Sequence, residues 1–390
     1  MKKSILLFLI FLTNFSLETK AQVGFHFLNK NKYKQSVNFK LINNLIVIPL
    51  EINGKKLSFI LDSGVSKTIL FNITKNDSIG LNNVEKVELQ GLGNGEPVEA
   101  LLSKNNRVSI DNLVHLKETV YVILKDNFDL SGKMGVTIHG IIGYSLLRNF
   151  IVKVNYNTKK IVFYNKDLFK YKKCKKCEVF PLQFYRKKPF INAEVQLDTI
   201  GNKLTSAKLL IDSGGSDAIW LFEDSKENIK TPNLFFSDVL GEGLSGPIYG
   251  NRSRVPKIKL KSFVIPKPTV SFLDSTSTRN ARRFKQRNGS IGAGILNRFI
   301  IWFDYPNKKI TLKKNRSFKK GFNYNMSGLD VVYNGKQLIR ERKVVSSTNS
   351  YNQDLESSNS INFISSFSYK FKPSFKIKSV LLNSPAYEAG

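Results

Sequence analysis

The tripeptide Asp-Ser-Gly occurs twice in this chain of 390 residues, and its two copies stand in matching surroundings. Asp62-Ser63-Gly64 follows the apolar run Phe59-Ile60-Leu61, and Asp212-Ser213-Gly214 follows Leu209-Leu210-Ile211. Each run predicts a buried strand, and a carboxylate at the end of a buried strand is costly unless it has a partner. We therefore expect the two aspartates to be each other's partners. The alternative is that each Asp-Ser-Gly forms an ordinary turn, which suits all three residue types.

The repeat extends beyond these tripeptides. A glycine-rich stretch begins 29 residues after each aspartate, at Gly91 and at Gly241. An element that ends in Ile-Gly follows, closing at Gly143 in the first copy and at Gly292, 149 residues later, in the second. A period this long indicates two copies of a domain rather than a solenoid, whose units are far shorter. We assign the glycine-rich stretches as flaps that flex at small residues; the flap glycines are Gly91, Gly93, Gly95, Gly241 and Gly243.

The secondary structure of both copies is predicted to be mostly β. Short apolar or alternating runs are separated by Gly, Asn and Asp, which is typical of strands and tight turns. Within the copies we predict short helices at residues 145–149 and 294–298 alone. The chain is thus expected to form two tandem β lobes, at residues 36–170 and 181–317, joined by a linker at 171–180.

The two ends of the chain differ in character from the repeated part. Residues 1–21 begin with Lys2 and Lys3 and continue with an apolar stretch, which is typical of a cleaved secretory signal peptide. The alternative is an uncleaved anchor, although the stretch is short for a membrane span, and no other segment is long and apolar enough to be one. Residues 321–390 end in a strand-like run, Ser-Pro-Ala and a short helical segment. This order resembles the middle of a PDZ domain, so we assign a partial PDZ-like domain; the alternative is a generic β-hairpin tail.

Charge and cysteine content restrict the partners of the chain. The formal net charge of +31 comes mostly from lysines spread along the whole sequence. No aromatic and basic combination of a nucleic-acid module is present, so we predict no specific nucleic-acid partner. Cys174 and Cys177 supply too few ligands for a structural zinc site, and we predict no metal. In an exported protein they predict a local disulfide; a redox role is the alternative.

A pair formed by Asp62 and Asp212 would have a defined chemistry. Two carboxyl groups within hydrogen-bond range cannot both ionise, so they share one proton. The ionised member can take a proton from a water molecule while the protonated member polarises a carbonyl group, which hydrolyses a peptide bond without a metal. The glycines after them allow close backbone approach and offer N–H groups, and the serines can hydrogen-bond across the axis. These supporting residues are Ser63, Gly64, Ser213 and Gly214.

These motifs make the chain similar to aspartic proteases of the retropepsin and pepsin type. It most resembles the exported bacterial retropepsin-like proteins that carry a C-terminal PDZ domain. Asp62-Ser63-Gly64 and Asp212-Ser213-Gly214 match the family's Asp-Thr/Ser-Gly, and Gly143 and Gly292 match the glycine that braces each catalytic loop. The resemblance implies a mostly β, bilobal fold of two tandem retropepsin-like β-barrel lobes with one active site between them. The chain departs from the family at Val65, where a smaller residue is usual.

The resemblance also implies a function. It implies an aspartic endopeptidase that needs no cofactor and acts outside the cytoplasm, in the periplasm or at the cell surface. Its partners would be a peptide or protein substrate between the lobes and a C-terminal peptide ligand at the PDZ-like segment. The alternative is a catalytically inactive peptide-binding or protein-binding protein on the same fold, and the presence of both aspartates favours the enzyme. A surface adhesion protein that uses its basic face is a third hypothesis.

Overall fold

The computed structural model describes residues 23–73, 79–93, 95–124, 129–347 and 362–390. The predicted signal peptide at residues 1–21 therefore lies outside the described residues. Within them the chain is mostly β, with a few short helices, which confirms the predicted fold class.

The first lobe holds twelve described strands and two short helices. They are β1 (His26–Phe27), β2 (Lys34–Asn38), β3 (Lys40–Ile42), β4 (Leu45–Ile52), β5 (Lys55–Leu61), β6 (Thr68–Leu70), β7 (Val84–Leu89), β8 (Val98–Ile110), β9 (Leu113–Ile123), α1 (Leu130–Met134), β10 (Gly140–Ile142), α2 (Tyr144–Leu147), β11 (Phe150–Asn155) and β12 (Lys160–Asn165).

The second lobe follows a similar order of elements with thirteen described strands, and a long hairpin comes after it. The elements of the second lobe are β13 (Cys177–Pro181), β14 (Gln183–Tyr185), β15 (Lys188–Gln196), β16 (Leu204–Ile211), β17 (Ile219–Phe222), β18 (Phe236–Gly243), β19 (Gly246–Arg254), β20 (Lys257–Leu260), β21 (Phe263–Pro266), β22 (Thr269–Leu273), a 3-10 helix (Ala281–Arg283), β23 (Gly289–Ile291), α3 (Ala293–Leu296), β24 (Phe299–Asp304) and β25 (Lys309–Lys314). The hairpin and the last helix are β26 (Leu329–Ser347), β27 (Asn362–Val380) and α4 (Pro385–Glu388).

Each lobe is built around the same arrangement of strands. In the first lobe the sheet runs β9-β6-β10-β5-β4-β8, and β8 pairs with β9 again, so this part of the sheet closes into a barrel. Strands β5 and β10 are parallel, as are β6 and β9, while β6 and β10 are antiparallel. The second lobe repeats this pattern with β16 and β23, β17 and β22, and β17 and β23. The repeat in the sequence is therefore a repeat of topology.

A third sheet joins the two lobes. Its six antiparallel strands run β13-β25-β24-β11-β12-β2, and β11 of the first lobe pairs with β24 of the second. Lys153 stands opposite Trp302 in that pair, and these residues are 149 positions apart, as are Gly143 and Gly292. Equivalent residues of the two copies thus face each other, which puts a pseudo-twofold axis between Lys153 and Trp302.

The helices differ in part from the sequence prediction. The helices predicted at 145–149 and 294–298 are present but lie slightly earlier, as α2 and α3. The prediction of no other helix in the copies was wrong, because α1 lies at Leu130–Met134 and Met134 is buried in the apolar cluster of the first lobe. Its flanking residues Asp129 and Gly135 both have left-handed backbones, and no side chain caps its first turn. These are residue types that often flank a helix, but a segment of five residues is too short to show a helical period of apolar residues.

The regions around the lobes carry further predicted features. Cys174 and Cys177 are joined by a disulfide, and Cys177 begins β13 of the joining sheet. Strands β26 and β27 form a two-stranded antiparallel ribbon, after which the Ser384 side chain accepts a hydrogen bond from the Tyr387 backbone N–H and caps α4. Because a ribbon and one helix fit both the PDZ-like assignment and the hairpin alternative, that assignment stays a prediction. No helix in the described residues has the length and hydropathy that crossing a bilayer requires.

Removing a core aromatic side chain from the joining sheet is expected to destabilise both lobes. Phe163 on β12 is fully buried, and its ring meets that of Phe150 edge-on at 5.7 Å between centroids. Phe163→Ala should lower the free energy of unfolding by about 3 to 5 kcal/mol, because it removes a large apolar side chain and leaves a cavity. Denaturant unfolding measures this change. The control is Val179→Ala on β13 of the same sheet, where the side chain is exposed; an equal loss in both variants would contradict the prediction.

Candidate active site

The two aspartates occupy equivalent places at the ends of buried strands. Asp62 follows β5, and its backbone N–H donates to the Ile142 carbonyl at 2.9 Å. Asp212 follows β16, and its N–H donates to the Ile291 carbonyl at the same distance. Each aspartate is thus held by the parallel strand beside it, β10 in the first lobe and β23 in the second. The local sequence sets this up, because the apolar runs before the aspartates are buried on both faces.

Ser63 and Ser213 tie the two loops together across the axis. The Ser63 N–H donates to the Ser213 hydroxyl at 2.9 Å, and the Ser213 N–H donates to the Ser63 hydroxyl at 3.0 Å. Each hydroxyl also donates to the opposite lobe: Ser63 to the Ile211 carbonyl at 2.7 Å, and Ser213 to the Leu61 carbonyl at 2.8 Å. Both serines are buried. Four hydrogen bonds therefore fix one aspartate loop against the other.

This arrangement brings the two carboxyl groups together. The Gly64 N–H donates to Asp62 Oδ1 at 2.6 Å, and the Gly214 N–H donates to Asp212 Oδ1 at 3.1 Å. A side chain on either glycine would run into the aspartate of the other lobe: a Cβ on Gly64 would lie 3.0 Å from Asp212 Oδ1, and one on Gly214 would lie 2.3 Å from Asp62 Oδ2. Both glycines are thus required for the approach of the two loops.

The electrostatics of the pair favour a shared proton. Burial, and after it the neighbouring Asp212 charge, raise the pKa of the Asp62 carboxyl to about 8. The Gly64 N–H and the Lys188 charge act against this rise in the pKa. Asp62 also hydrogen-bonds to Asp212, which requires a proton between them. A raised pKa means that Asp62 keeps its proton to a higher pH than an isolated aspartate does.

The brace glycines lie against the aspartate loops. A Cβ on Gly143 would stand 1.9 Å from the Asp62 carbonyl oxygen, and one on Gly292 would stand 2.8 Å from the Gly215 carbonyl oxygen. Any larger residue would push the loop away. Val65, where the chain departs from the family pattern, lies at the same place, and its carbonyl accepts the Tyr144 N–H at 3.1 Å.

The flap glycines of the first lobe meet the second flap at its tip. The hairpin β7–β8 of the first lobe and the hairpin β18–β19 of the second touch there. The Ser245 N–H donates to the Leu92 carbonyl at 2.9 Å, the Gly95 N–H donates to the Ser245 carbonyl at 2.7 Å, and the Gly91 N–H donates to the Ser245 hydroxyl at 3.1 Å. Gly93 has a positive φ of 110°, and a Cβ on it would lie 2.5 Å from the Ser245 carbonyl oxygen. The flaps are therefore closed on each other.

The second flap contacts both the first flap and the C-terminal ribbon, and the contact with the ribbon was not predicted from the sequence. A Cβ on Gly243 would lie 2.1 Å from the Leu92 carbonyl oxygen, so Gly243 is part of the tip contact, whereas Gly241 lies within β18 beside the Trp220 ring. Glu242 between them pairs with two lysines: Lys133 next to the first lobe's α1 C-terminus, at 3.2 Å, and Lys378 of the C-terminal ribbon, at 3.4 Å. The ribbon thus contacts a flap directly.

Sequence reasoning also missed two cations beside the aspartates. Lys188 acts electrostatically on both Asp62 and Asp212, and Arg287 acts on Asp212. No local signal distinguishes Lys188 from its neighbours Arg186 and Lys187; the strand register alone does. No group of three or more His, Cys, Asp or Glu side chains in the described part of the chain is placed to hold a metal ion.

Comparison with known proteins connects the first lobe with one family. The model of the aspartyl protease family matches residues 48–146. This span contains Asp62-Ser63-Gly64 and the brace glycine of the first lobe, and it ends before the second copy begins. Among solved structures, the chain is similar to the aspartic proteinase from Irpex lacteus, with 14% sequence identity and a TM-score of 0.46; the similarity covers 74% of this chain and 99% of that one. The comparison with curated proteins gave no match.

The cross-lobe serines can be tested without reference to activity. Ser63→Ala should lower the free energy of unfolding by about 1 to 3 kcal/mol, because the Ser213 N–H and the Ile211 carbonyl would then be buried without a partner. Ser63→Thr is the matched control, since it keeps the hydroxyl and should lose much less stability. Denaturant unfolding of these variants and of Ser63→Ala combined with Ser213→Ala measures the coupling. Independent, additive losses from the two alanines would show that the serines do not act as one unit.

Proposed function

We propose that this protein is an aspartic endopeptidase that hydrolyses peptide bonds with a water molecule activated by Asp62 and Asp212. The observation that carries the proposal is the exchange of hydrogen bonds between Ser63 and Ser213, because it holds the two carboxyl groups side by side. The raised pKa of Asp62 and the aspartyl protease match of the first lobe support it as well.

The chemistry follows from the single shared proton. The ionised carboxylate takes a proton from water as the water oxygen attacks the peptide carbonyl carbon, while the protonated carboxyl donates to the carbonyl oxygen. A tetrahedral diol forms. Its C–N bond then breaks as the leaving nitrogen receives a proton from the protonated carboxyl and one hydroxyl of the diol gives its proton to the ionised carboxylate. Because the pair titrates as a unit, neither role is assigned to one aspartate in the free enzyme. The Gly64 and Gly214 N–H groups keep each carboxylate oriented.

The flaps set the access of substrate. Their tips are held to each other by hydrogen bonds that involve Leu92 and Ser245, so we infer that they part to admit a peptide chain and close over it. Closed flaps exclude water and strengthen the electrostatic interactions inside. An extended peptide between the lobes and the flaps would offer its backbone groups to the flap backbone, as an added strand does.

We also propose that the protein works outside the cytoplasm. The Cys174–Cys177 disulfide supports an oxidising compartment, and the composition of residues 1–21 supports export. For the last part of the chain we propose the PDZ-like role of binding a peptide end. Its support is the order of a strand, the Ser384 cap and a short helix.

Neutralising either aspartate should abolish cleavage. Asp62→Asn and Asp212→Asn each remove the shared proton and one of the two roles that the reaction needs, so hydrolysis of a peptide library should fall to background in both. Mass spectrometry of the products, with and without a peptide that carries a statine group as a mimic of the tetrahedral diol, gives the measurement. Asp167→Asn is the control, because that side chain is exposed. If wild-type protein binds library peptides but cleaves none at any pH, the peptide-binding alternative replaces the enzyme.

The pH dependence of cleavage should extend to neutral pH. The mechanism needs one proton on the pair, and the pKa of Asp62 is raised to about 8. The shared proton is therefore kept below that pH and lost as the pH rises through it, so kcat/KM should be substantial at pH 7 and fall above about pH 8. Initial rates between pH 3 and pH 10 test this. Cleavage confined to pH values below about 5 would contradict the prediction that kcat/KM falls only above about pH 8.

A further inference from the structure

Equivalent positions beside the two aspartates carry unlike residues. In the first lobe β4 and β5 pair with Val47 opposite Ile60, and two steps further along the same register Leu45 stands opposite Asp62. In the second lobe β15 and β16 pair with Phe190 opposite Leu210, and the same two steps put Lys188 opposite Asp212. Residues directly opposite in an antiparallel pair share a face of the sheet, with Cβ atoms about 5 Å apart. A lysine thus occupies the second-lobe position that a leucine occupies in the first.

A second pair of equivalent positions shows the same contrast. Two residues before Gly140 of β10 stands Ile138, and two residues before Gly289 of β23 stands Arg287. Ile138 and Leu45 both belong to the apolar cluster of the first lobe. Arg287 is buried, and its guanidinium lies over the Phe222 ring at 4.9 Å. The side of the aspartate pair that faces the first lobe is therefore apolar, and the side that faces the second lobe is basic.

The two cations are not balanced by the residues around them. The Lys188 side chain forms no hydrogen bond or ion pair with any residue that the structure describes, and among those residues the carboxylates that act on its charge are Asp62 and Asp212. The one that acts on Arg287 is Asp212. With both cations charged and one proton shared by the aspartate pair, the cluster formed by these four side chains carries a net charge of +1.

The environment makes this excess charge costly. Burial lowers the pKa of Lys188, and the nearby Arg287 charge lowers it further. Burial also lowers the pKa of Arg287 to about 10, while the Asp212 charge acts against this fall in the pKa. An excess positive charge in a poorly solvated place is stabilised when an anionic group binds beside it. Lys188 is partly exposed, so a ligand that enters between the lobes can contact this residue.

We propose that the second-lobe side of the site is a subsite for an acidic residue of the substrate, with Lys188 as the residue that determines this specificity. The preferred peptides then carry an apolar side chain on one side of the cleaved bond, against the first-lobe face that includes Leu45, and Asp or Glu on the other side, against Lys188. Arg287 is a positioning residue, which keeps the subsite electropositive behind Lys188. This inference rests on the proposed endopeptidase function.

A different role for Lys188 leads to a different result. If Lys188 served only as a counter-ion of the aspartate pair, its removal would shift the pH profile of cleavage equally for every peptide. If it binds a substrate carboxylate, its removal changes the discrimination between acidic and neutral peptides. The ratio of kcat/KM for two peptides that differ only by Glu and Gln beside the cleaved bond separates the two roles.

The experiment compares such Glu and Gln peptides, chosen from the sites that a peptide library reveals, with wild type, Lys188→Met and Lys188→Glu. A third peptide, whose C-terminus is the residue at the Glu or Gln position, distinguishes binding of a side-chain carboxylate from binding of a C-terminal carboxylate. Wild type should prefer Glu over Gln by about tenfold or more, as expected for a hydrogen bond to a charged group. Lys188→Met should bring the ratio of kcat/KM for the Glu and Gln peptides near one. Lys188→Glu should favour a peptide that carries Lys at the same position. Lys203→Met, which removes an exposed lysine at the far end of the same hairpin, should keep the wild-type ratio.

Binding of the same peptides to the Asp62→Asn variant, measured by fluorescence anisotropy, keeps the two proposals separate. If no peptide is cleaved, the endopeptidase proposal fails, yet tighter binding of Glu than Gln that depends on Lys188 would still support the acidic subsite. If peptides are cleaved without a Glu preference, or if Lys188→Met changes all peptides equally, the acidic subsite is wrong and the endopeptidase proposal stands. A preference seen only for the peptide that ends at the acidic residue would assign the subsite to a chain terminus and overturn the side-chain assignment.

Discussion

The reciprocal hydrogen bonds between Ser63 and Ser213 are the interaction on which the rest of the site depends. Each serine is both donor and acceptor, and each bonds to the backbone of the opposite lobe, so neither loop reaches its position without the other. The close approach that results forces two carboxyl groups together and makes ionisation of both unfavourable. Four hydrogen bonds of two serine side chains thus bring about the close approach that raises the pKa of Asp62. The glycines on either side are required for the same reason, because no Cβ fits at Gly64 or Gly214.

Duplication gave this chain two equivalent halves, and the structure shows how far they have diverged. The strand pairing, the aspartate loops and the brace glycines kept their symmetry, since each is needed twice. The faces beside the aspartates did not, and Leu45 and Lys188 illustrate the difference. An asymmetric ligand such as a peptide has a direction, and a symmetric site would bind it in two orientations. Unlike surfaces on the two sides select one of them, so divergence at a few positions can specify direction without altering the catalytic arrangement.

The sequence predicted much of the fold and the centre of the site, because those features are encoded locally and repeated. The aspartates, their serines and the flap glycines could be found from Asp-Ser-Gly and from glycine spacing. Features that depend on strand register were not visible. Lys188 stands in a run with Arg186 and Lys187, and only the pairing of β15 with β16 shows that it faces Asp212 while the other two form an exposed turn. Helix α1 was missed because five residues are too few to show a helical period, although Gly135 caps its C-terminus and Met134 packs into the apolar cluster. Ser245 gave no signal, since its partners are backbone groups of the other flap.

The joining sheet has a consequence for how such a chain can be assembled. At its centre β11 meets β24 in a register that sets Lys153 opposite its own counterpart, Trp302. The free edge of β11 is therefore self-complementary. A second copy of the first lobe could pair its own β11 with this edge, in the alignment that β24 has here. A single lobe on its own would expose half of an isologous interface and an unpaired strand edge. A twofold homodimer would bury that interface and pair that edge. The covalent link between the lobes makes their association permanent. It also allows the two lobes to carry different residues beside the aspartates.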